Sequence, residues 1–154
     1  LFFGANQVYQ LAFPSASQGP NASVQQTKQD SQHQFIQVTS LNELLEKVKQ
    51  ANQQGKTVMV DLYADWCVAC KEFEHYTFNQ PQVQKALSNS VMIQVDLTDT
   101  FSKTTTEIWE YFDIFGLPSI LFFDLQGREL ENNRVTGFMD ADEFAEHIKR
   151  IFNS

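Results

Sequence analysis

Two segments of this 154-residue chain are almost continuously apolar, TVMVDLY at residues 57–63 and VMIQVDL at residues 91–97. Segments of this length and composition are typical of β-strands that are buried on both faces. A sheet that is covered on both faces needs helices above and below it. We therefore predict an α/β domain in which helices pack on both faces of a central, mainly parallel sheet with an antiparallel edge.

The segments between these strands carry helix signals. Residues 40–55 begin with a capping box formed by Ser40 and Glu43, and Gly55 suits the C-terminal end. A strand is also predicted at residues 35–38. Residues 119–130 are predicted to form a strand, a turn around Gln126–Gly127 and the start of a returning strand that ends near Val135. Further helices are predicted after the cysteines, from Pro81 to Leu87, over residues 103–115 with Ile108, Trp109, Phe112 and Phe115 facing the core, and over residues 141–152.

The N-terminal part of the chain has a different composition. Residues 14–34 contain six Gln, four Ser and no aromatic residue. Such a segment cannot bury enough apolar surface to offset the entropy lost on ordering. We interpret residues 1–34 as a tail and flexible linker, and residues 35–154 as the folded domain. The opening LFFGA fits either the end of a preceding transmembrane segment or an apolar terminus without a function.

The charge balance limits the classes of partner. The net charge is -8, and no cluster of Lys and Arg is longer than a pair. This balance argues against nucleic acid and anionic lipid as partners. The chain has enough aromatic and aliphatic residues to form a core without disulfides, so its two cysteines are free for chemistry.

Cys67 and Cys70 form a C-x-x-C pair between a predicted buried strand and a predicted helix. The free N–H groups and the positive dipole end at the start of a helix stabilise a thiolate, so we expect Cys67 to be exposed and reactive. Cys70, one turn later, can resolve a mixed disulfide. A redox pair is favoured. A structural disulfide and a zinc site remain alternatives, although His33, His75 and His147 lack the spacing of zinc ligands.

Three blocks carry a resemblance to a known family: DLYADWCVACKEFEHYTF from residue 61, GLPSILFFD from residue 116 and RVTGFMDADEF from residue 134. The first two resemble the thioredoxin superfamily. Together, in this order, the three blocks resemble the C-terminal periplasmic domain of the DsbD family of bacterial transmembrane thiol:disulfide interchange proteins. The resemblance covers about residues 38–152.

The resemblance implies a thioredoxin-like fold and dithiol/disulfide exchange. It makes Cys67 the attacking thiol and Cys70 the resolving thiol, with no other cofactor. It also implies that Pro118 is a cis-proline that faces the disulfide. The residues it implies for shielding the disulfide or binding a partner are Trp66, Val68, Ala69, Gly116, Leu117, Pro118 and Gly137.

Two acidic residues are candidates for tuning the site. Asp61 lies within a buried strand, where desolvation should raise the pKa of its carboxyl. The superfamily places an acid at this position beneath the resolving cysteine, where it can relay a proton. Glu74 follows Cys70 by four residues and Cys67 by seven, which puts all three on one side of a helix. Glu74 is alternatively a solvated helix residue.

The residues around the cysteines also suggest a direction of electron flow. Asp61, Asp65, Glu72 and Glu74 outnumber the single Lys71, and the dipeptide between the cysteines is neutral. Negative surroundings disfavour the Cys67 thiolate and therefore the reduced form of the pair. We expect the dithiol to donate electrons.

The resemblance implies a relay. A membrane-embedded domain of the same protein would reduce this domain, which would then reduce an N-terminal periplasmic domain that serves disulfide isomerase and cytochrome-maturation pathways. It also implies a periplasmic, monomeric domain that is tethered to the inner membrane and binds no metal or nucleic acid. The alternatives are a free-standing or tethered thioredoxin-like reductase and a redox-inactive thioredoxin-fold interaction module.

Overall fold

The computed structural model describes residues 35–152. The predicted tail and linker, residues 1–34, lie outside the described residues. No helix within residues 35–152 is long and apolar enough to cross a membrane. The strands are β1 (Phe35–Val38), β2 (Thr57–Tyr63), β3 (Ser90–Asp96) and β4 (Ser119–Phe123). The α-helices are α1 (Leu41–Gln53), α2 (Val68–Glu72), α3 (Pro81–Ala86), α4 (Lys103–Tyr111) and α5 (Ala141–Phe152).

The described strands form a four-stranded sheet in the order β1-β3-β2-β4. β3 runs parallel to both β1 and β2, whereas β4 is antiparallel to β2. In this register Tyr63 of β2 lies opposite Asp96 of β3, and Leu62 lies opposite Ser119 of β4. The end of β2, the end of β3 and the beginning of β4 therefore meet at one edge of the sheet.

Alternate residues of β2 enter two separate cores. Val60 and its neighbours on the same face pack with side chains from α1 and α4. Met59, on the opposite face, packs with Phe73, just after α2, and with side chains of α3 and α5. This arrangement confirms the predicted α/β fold with helices on both faces of a mixed sheet.

The strand predicted to follow β4 is only partly present. Isolated bridges join Glu129 to Phe123 and Val135 to Ile120. Between them the chain forms a 3₁₀-helix at Glu131–Asn133. This polar, Asn-containing segment favours a turn over a strand, so the predicted continuous strand is wrong.

The helix predicted to reach Phe115 ends at Tyr111 instead. Asp113 adopts the left-handed conformation, with φ 57°, and the N–H of Ile114 donates to the carbonyl of Trp109 at 2.9 Å. This is the hydrogen-bond pattern of a Schellman motif. The turn directs Ile114 into the core and leaves Phe115 94% exposed, so the predicted inward position of Phe115 is wrong.

Two positions with positive φ give a paired test of backbone conformation. Asp113→Gly should raise the free energy of unfolding by up to about 1 kcal/mol, because glycine reaches the left-handed region without a Cβ clash. Gly55 has φ 76° and open space where a Cβ would lie. Gly55→Ala should therefore lower the free energy of unfolding by about 1 kcal/mol through the backbone alone. Urea denaturation measures both; a less stable Asp113→Gly variant would contradict this account.

Candidate redox site

Cys67 and Cys70 form a disulfide at the beginning of α2, with their Cα atoms 5.3 Å apart. Cys67 is the N-cap residue of α2, and its sulfur accepts a hydrogen bond from the backbone N–H of Cys70 at 3.2 Å. The N–H of Cys67 donates to the carbonyl of Ala64 at 3.1 Å. These bonds hold the short turn between β2 and α2, so the disulfide lies directly at the sheet edge where β2 ends.

Both cysteines are buried in the disulfide form. Cys67 is 6% exposed and Cys70 is 2% exposed. They pack with Ala64, and Tyr63 and Leu117 contact the same cluster. The expectation that Cys67 would be exposed is therefore wrong for the disulfide form, because neighbouring apolar side chains cover the sulfur. Cys67 is still the less buried of the two.

The loop before β4 lies against the disulfide. Leu117 packs on the cysteine cluster, and the Leu117–Pro118 peptide bond is cis, as the resemblance implied. The hydroxyl of Ser119 donates to the carbonyl of Gly116 at 2.7 Å, which closes the loop on itself. The structure thus brings Leu117 together with both cysteines.

The other residues predicted to bind a partner lie mostly at the surface. Trp66 is 53% exposed and Val68 is 73% exposed, and the indole N–H of Trp66 donates to the carbonyl of Thr98 at 3.1 Å. Gly116 and Gly137 are exposed, with open space where a Cβ would lie, so packing within the chain does not require glycine at either position. Their role in partner binding, like that of the half-buried Ala69, stays a prediction.

Asp61 is the buried acid that the sequence indicated, with 2% of its surface exposed. Gln94 lies opposite it on β3 and donates a hydrogen bond from Nε2 to Asp61 Oδ2 at 2.9 Å. Gln37, on β1, in turn donates from Nε2 to Gln94 Oε1 at 2.6 Å. A hydrogen-bonded row therefore crosses three strands, from the exposed Gln37 to the buried carboxyl.

The surroundings of Asp61 favour its protonated form. Burial raises the pKa of the Asp61 carboxyl to about 7, and the negative charge of Glu74 adds to this rise. The hydrogen bond from Gln94 acts in the opposite direction, because it stabilises the carboxylate. Glu74 itself is exposed. Glu74 therefore affects the pKa of Asp61 through its negative charge and not by covering the carboxyl.

Gln94 and Thr98 are parts of this site that were not predicted from the sequence. Gln94 interrupts the apolar run of its strand just as Asp61 does, and this shared signal could have pointed to it. Thr98 accepts a hydrogen bond from the N–H of Asp65 at 2.9 Å, besides the bond from Trp66. It thereby ties the loop after β3 to the loop that carries the cysteines. A single threonine in a polar loop gives no comparable signal in the sequence.

Comparison with known proteins identifies the family. Residues 44–152 match the sequence profile of the thioredoxin-like domain family. The chain belongs to this family. The chain is 58% identical over 153 residues to the thiol:disulfide interchange protein DsbD of Colwellia psychrerythraea, covering 99% of the chain and 24% of that relative. It is 50% identical over 115 residues to DsbD of Escherichia coli, covering 75% of the chain and 20% of that relative.

Solved structures give the same result. The thioredoxin-like domain matches the oxidised C-terminal domain of Neisseria meningitidis DsbD with a TM-score of 0.65 and 29% identity, over 75% of this chain and 97% of that one. The reduced form matches with a TM-score of 0.60 and 29% identity, over 73% and 98%. The domain is therefore homologous to the C-terminal domain of DsbD, and the chain spans about a quarter of the length of the curated relatives.

The raised pKa of Asp61 predicts a dependence of stability on pH. The carboxyl ionises near pH 3.9 in an unfolded chain but near 7 in the folded one. The free energy of unfolding should therefore fall as pH rises from about 4 to about 7 and change little above that range. Asp61→Asn removes this ionisation. At pH 8 we expect the variant to be more stable than the unmodified chain by on the order of 2 to 4 kcal/mol.

Urea denaturation of the oxidised protein below pH 4 and at pH 8 measures this difference, which should disappear in acid. Glu146→Gln is the matched control, because it removes a carboxylate that is exposed on α5. Equal stability of Asp61→Asn and the unmodified chain at pH 8 would contradict a buried, destabilising charge.

Proposed function

We propose that this domain is a thiol:disulfide exchange unit that donates electrons from its dithiol to a disulfide in another protein domain. The observation that carries the proposal is the C-x-x-C disulfide at the beginning of α2, with Leu117 packed against it and the Leu117–Pro118 peptide in the cis form. The buried acid Asp61, in strand β2 six residues before Cys67, supports it further.

The exchange would proceed in two steps from the reduced form. The thiolate of Cys67 attacks one sulfur of the acceptor disulfide, forming a mixed disulfide and releasing the first acceptor thiolate. The thiolate of Cys70 then attacks the Cys67 sulfur, which releases the second acceptor thiolate and forms the Cys67–Cys70 disulfide. The acceptor gains two electrons and takes up two protons to become a dithiol, and the dithiol of this domain is oxidised.

Asp61 is suited to handle the proton of the second step. With a pKa of about 7, its carboxyl exists in both protonation states near neutral pH. Such a group can accept a proton from a thiol and later return it. The resemblance implies a position beneath Cys70, the thiol that must ionise in order to release the acceptor.

The charges around the pair support electron donation. Asp65, Glu72 and Glu74 flank the disulfide, and the ammonium of Lys71 lies 3.8 Å from the carboxylate of Asp65, which offsets its positive charge. Negative surroundings oppose the effect of the helix dipole on the Cys67 thiolate. Because a less stable thiolate makes the dithiol a better reductant, the domain would give electrons rather than take them.

The homology to DsbD supports a place for the domain in a relay. The electrons would come from a membrane-embedded domain of the same protein, and the acceptor would be its N-terminal periplasmic domain, which serves disulfide isomerase and cytochrome maturation. The domain would then act as a monomer in the periplasm, tethered to the inner membrane. Tethering would keep both exchange partners at a high effective concentration.

Trapping the mixed disulfide tests the identity of the acceptor. In Cys70→Ala the second step is blocked, so Cys67 should remain linked to its acceptor through a disulfide that a reductant cleaves. The full-length protein carrying this change should accumulate a link to its own N-terminal periplasmic domain, detected by non-reducing electrophoresis and mass spectrometry. Cys67→Ala/Cys70→Ala is the matched control and should form no link. Capture of many unrelated proteins instead would indicate a general reductase.

Titration of Cys67 tests the direction of transfer. In the reduced chain we expect the pKa of the Cys67 thiol to lie at or above the free-cysteine value of about 8.5. Removing a nearby negative charge with Glu74→Gln should lower this pKa, whereas Glu146→Gln should leave it unchanged. Thiolate absorbance in the ultraviolet follows the ionisation. A Cys67 pKa well below that of free cysteine would overturn the argument for a donor.

A further inference from the structure

Thr98 forms hydrogen bonds in two directions just after the end of β3. Its backbone N–H donates to a carboxylate oxygen of Asp96 at 2.9 Å, and its hydroxyl donates to the same oxygen. As acceptors, the hydroxyl binds the backbone N–H of Asp65 at 2.9 Å and the carbonyl binds the indole N–H of Trp66 at 3.1 Å. Thr98 therefore joins the end of β3 to the two residues that precede Cys67.

The hydroxyl of Thr98 is needed for two of these bonds. A hydroxyl has one proton, which the carboxylate of Asp96 accepts, and its oxygen lone pairs remain for the N–H of Asp65. A valine side chain has the same shape but no polar atom, so it would leave the N–H of Asp65 without this acceptor. The bond to Asp65 thus requires a hydroxyl and not only a β-branched side chain.

The loop that contains Thr98 is itself fixed on both sides. Before Thr98, the N–H of Leu97 donates to the carbonyl of Tyr63 at 2.7 Å, which extends the pairing of β2 with β3. After Thr98, the carbonyl of Asp99 accepts from the hydroxyl of Thr105, on α4, at 2.7 Å. Thr98 therefore holds the turn at residues 64–67 from a fixed position.

Trp66 lies where an acceptor protein has to approach. It directly precedes Cys67, so their Cα atoms are about 3.8 Å apart, and 53% of Trp66 is exposed. The single polar atom of its side chain is already hydrogen-bonded within the chain, so the exposed ring surface is apolar. Tryptophan is a frequent anchor of protein interfaces, and a ring that is held before binding loses less entropy on contact. A protein whose disulfide reaches Cys67 therefore meets a ring that is already oriented.

We infer that Thr98 is a positioning residue for exchange with proteins, because it holds Trp66 and the beginning of the cysteine-bearing turn in the orientation that an acceptor protein contacts. This inference rests on the proposed function, since it concerns the same exchange reaction. Thr98 takes no part in the exchange of sulfur atoms and acts through Trp66. A small disulfide, which makes little contact with the indole ring, should react at a rate that does not depend on Thr98.

Rates of oxidation of the reduced chain by two acceptors test the inference. The protein acceptor is the oxidised N-terminal periplasmic domain of the same full-length protein, and the small acceptor is hydroxyethyl disulfide. Thr98→Val should lower the second-order rate constant with the protein acceptor by about threefold to tenfold, because the backbone at Asp65 and hence the Trp66 ring are held less firmly. With hydroxyethyl disulfide the rate constant should change less than about twofold.

Two variants control for effects other than the loss of this hydroxyl. Thr98→Ser keeps the hydroxyl, and both of its rates should lie within about twofold of those of the unmodified chain. Thr106→Val is the matched control, because Thr106 is exposed on α4 and its hydroxyl donates to the carbonyl of Ser102, at the beginning of that helix, at 3.1 Å. It should change neither rate. Thermal denaturation should show that each variant is folded at the assay temperature.

Trp66→Phe breaks the bond to the carbonyl of Thr98 from the other side, and it keeps both an aromatic ring and the Thr98 hydroxyl. It should likewise slow the reaction with the protein acceptor and not the reaction with hydroxyethyl disulfide, so the inference is tested even if Thr98→Val does not fold. Equal rates of Trp66→Phe and the unmodified chain with the protein acceptor would contradict it.

A double-mutant cycle tests whether Thr98 acts through Trp66. In a Trp66→Ala background the ring is absent, so Thr98→Val should lower the rate constant with the protein acceptor by less than about twofold further. Fluorescence anisotropy measures the mobility of the ring in a Trp109→Phe background, where Trp66 is the only tryptophan. The anisotropy should fall in Thr98→Val and stay unchanged in Thr98→Ser.

The outcomes separate this inference from the proposed function. If the unmodified chain reduces hydroxyethyl disulfide but not the protein acceptor, the proposed function fails and the inference fails with it. If the unmodified chain reduces both and Thr98→Val is equally fast with the protein acceptor, the inference fails while the proposed function stands. Equal slowing of Thr98→Val with both acceptors would also overturn the inference, since it would indicate an effect on the cysteines. Undiminished slowing in the Trp66→Ala background, or an unchanged anisotropy, would overturn the action through Trp66.

Discussion

Strand β2 is hydrogen-bonded to a neighbouring strand on each side and packs against a hydrophobic core on each face. The position of the redox site depends on this central place of β2 in the sheet. β2 ends at Tyr63, and the chain reaches Cys67 four residues later, at a sheet edge that β2 shares with the end of β3 and the beginning of β4. The loops that carry Thr98 and Leu117 reach the disulfide because β3 is parallel and β4 antiparallel to β2.

The central place of β2 also explains the raised pKa of Asp61. A carboxyl that is buried between two neighbouring strands loses the hydration that would stabilise its charge. Gln94 donates one hydrogen bond to this carboxyl. The bond stabilises the ionised form and so limits the rise of the pKa. The balance of these two effects, with a contribution from Glu74, brings the pKa of Asp61 close to neutrality. Stability and proton transfer are therefore coupled at this residue: the burial that makes its charge costly also makes it a useful acid and base.

Negative charge predominates around the cysteines. Asp65, Glu72 and Glu74 flank the disulfide, and the positive charge of Lys71 is paired with Asp65. Acidic side chains in these positions oppose the helix dipole and disfavour the Cys67 thiolate. This charge distribution supports the proposed donation of electrons by the dithiol.

Much of the fold and of the site could be predicted from the sequence. The apolar runs around Asp61 and Gln94 predicted strands buried on both faces, and the capping pattern at Ser40 predicted a helix whose N-cap hydroxyl accepts from the N–H of Glu43 at 3.0 Å. The spacing of Cys67 and Cys70 predicted a pair at the beginning of a helix. These predictions succeeded because periodicity, caps and C-x-x-C spacing are properties of neighbouring residues.

Other features depended on contacts between distant residues. Gln94 meets Asp61 only because of the register between β2 and β3, and Leu117, from a distant loop, helps to bury the cysteine pair. The outward position of Phe115 follows from a left-handed turn at Asp113. A glycine at this position would have indicated the end of the helix in the sequence, but the residue is an aspartate. The sequence by itself determined the class of fold and the residues able to react, since local patterns encode both. Only the tertiary structure decided which side chains meet at the disulfide and which remain exposed, because strand register, loop packing and helix termination depend on contacts between distant residues.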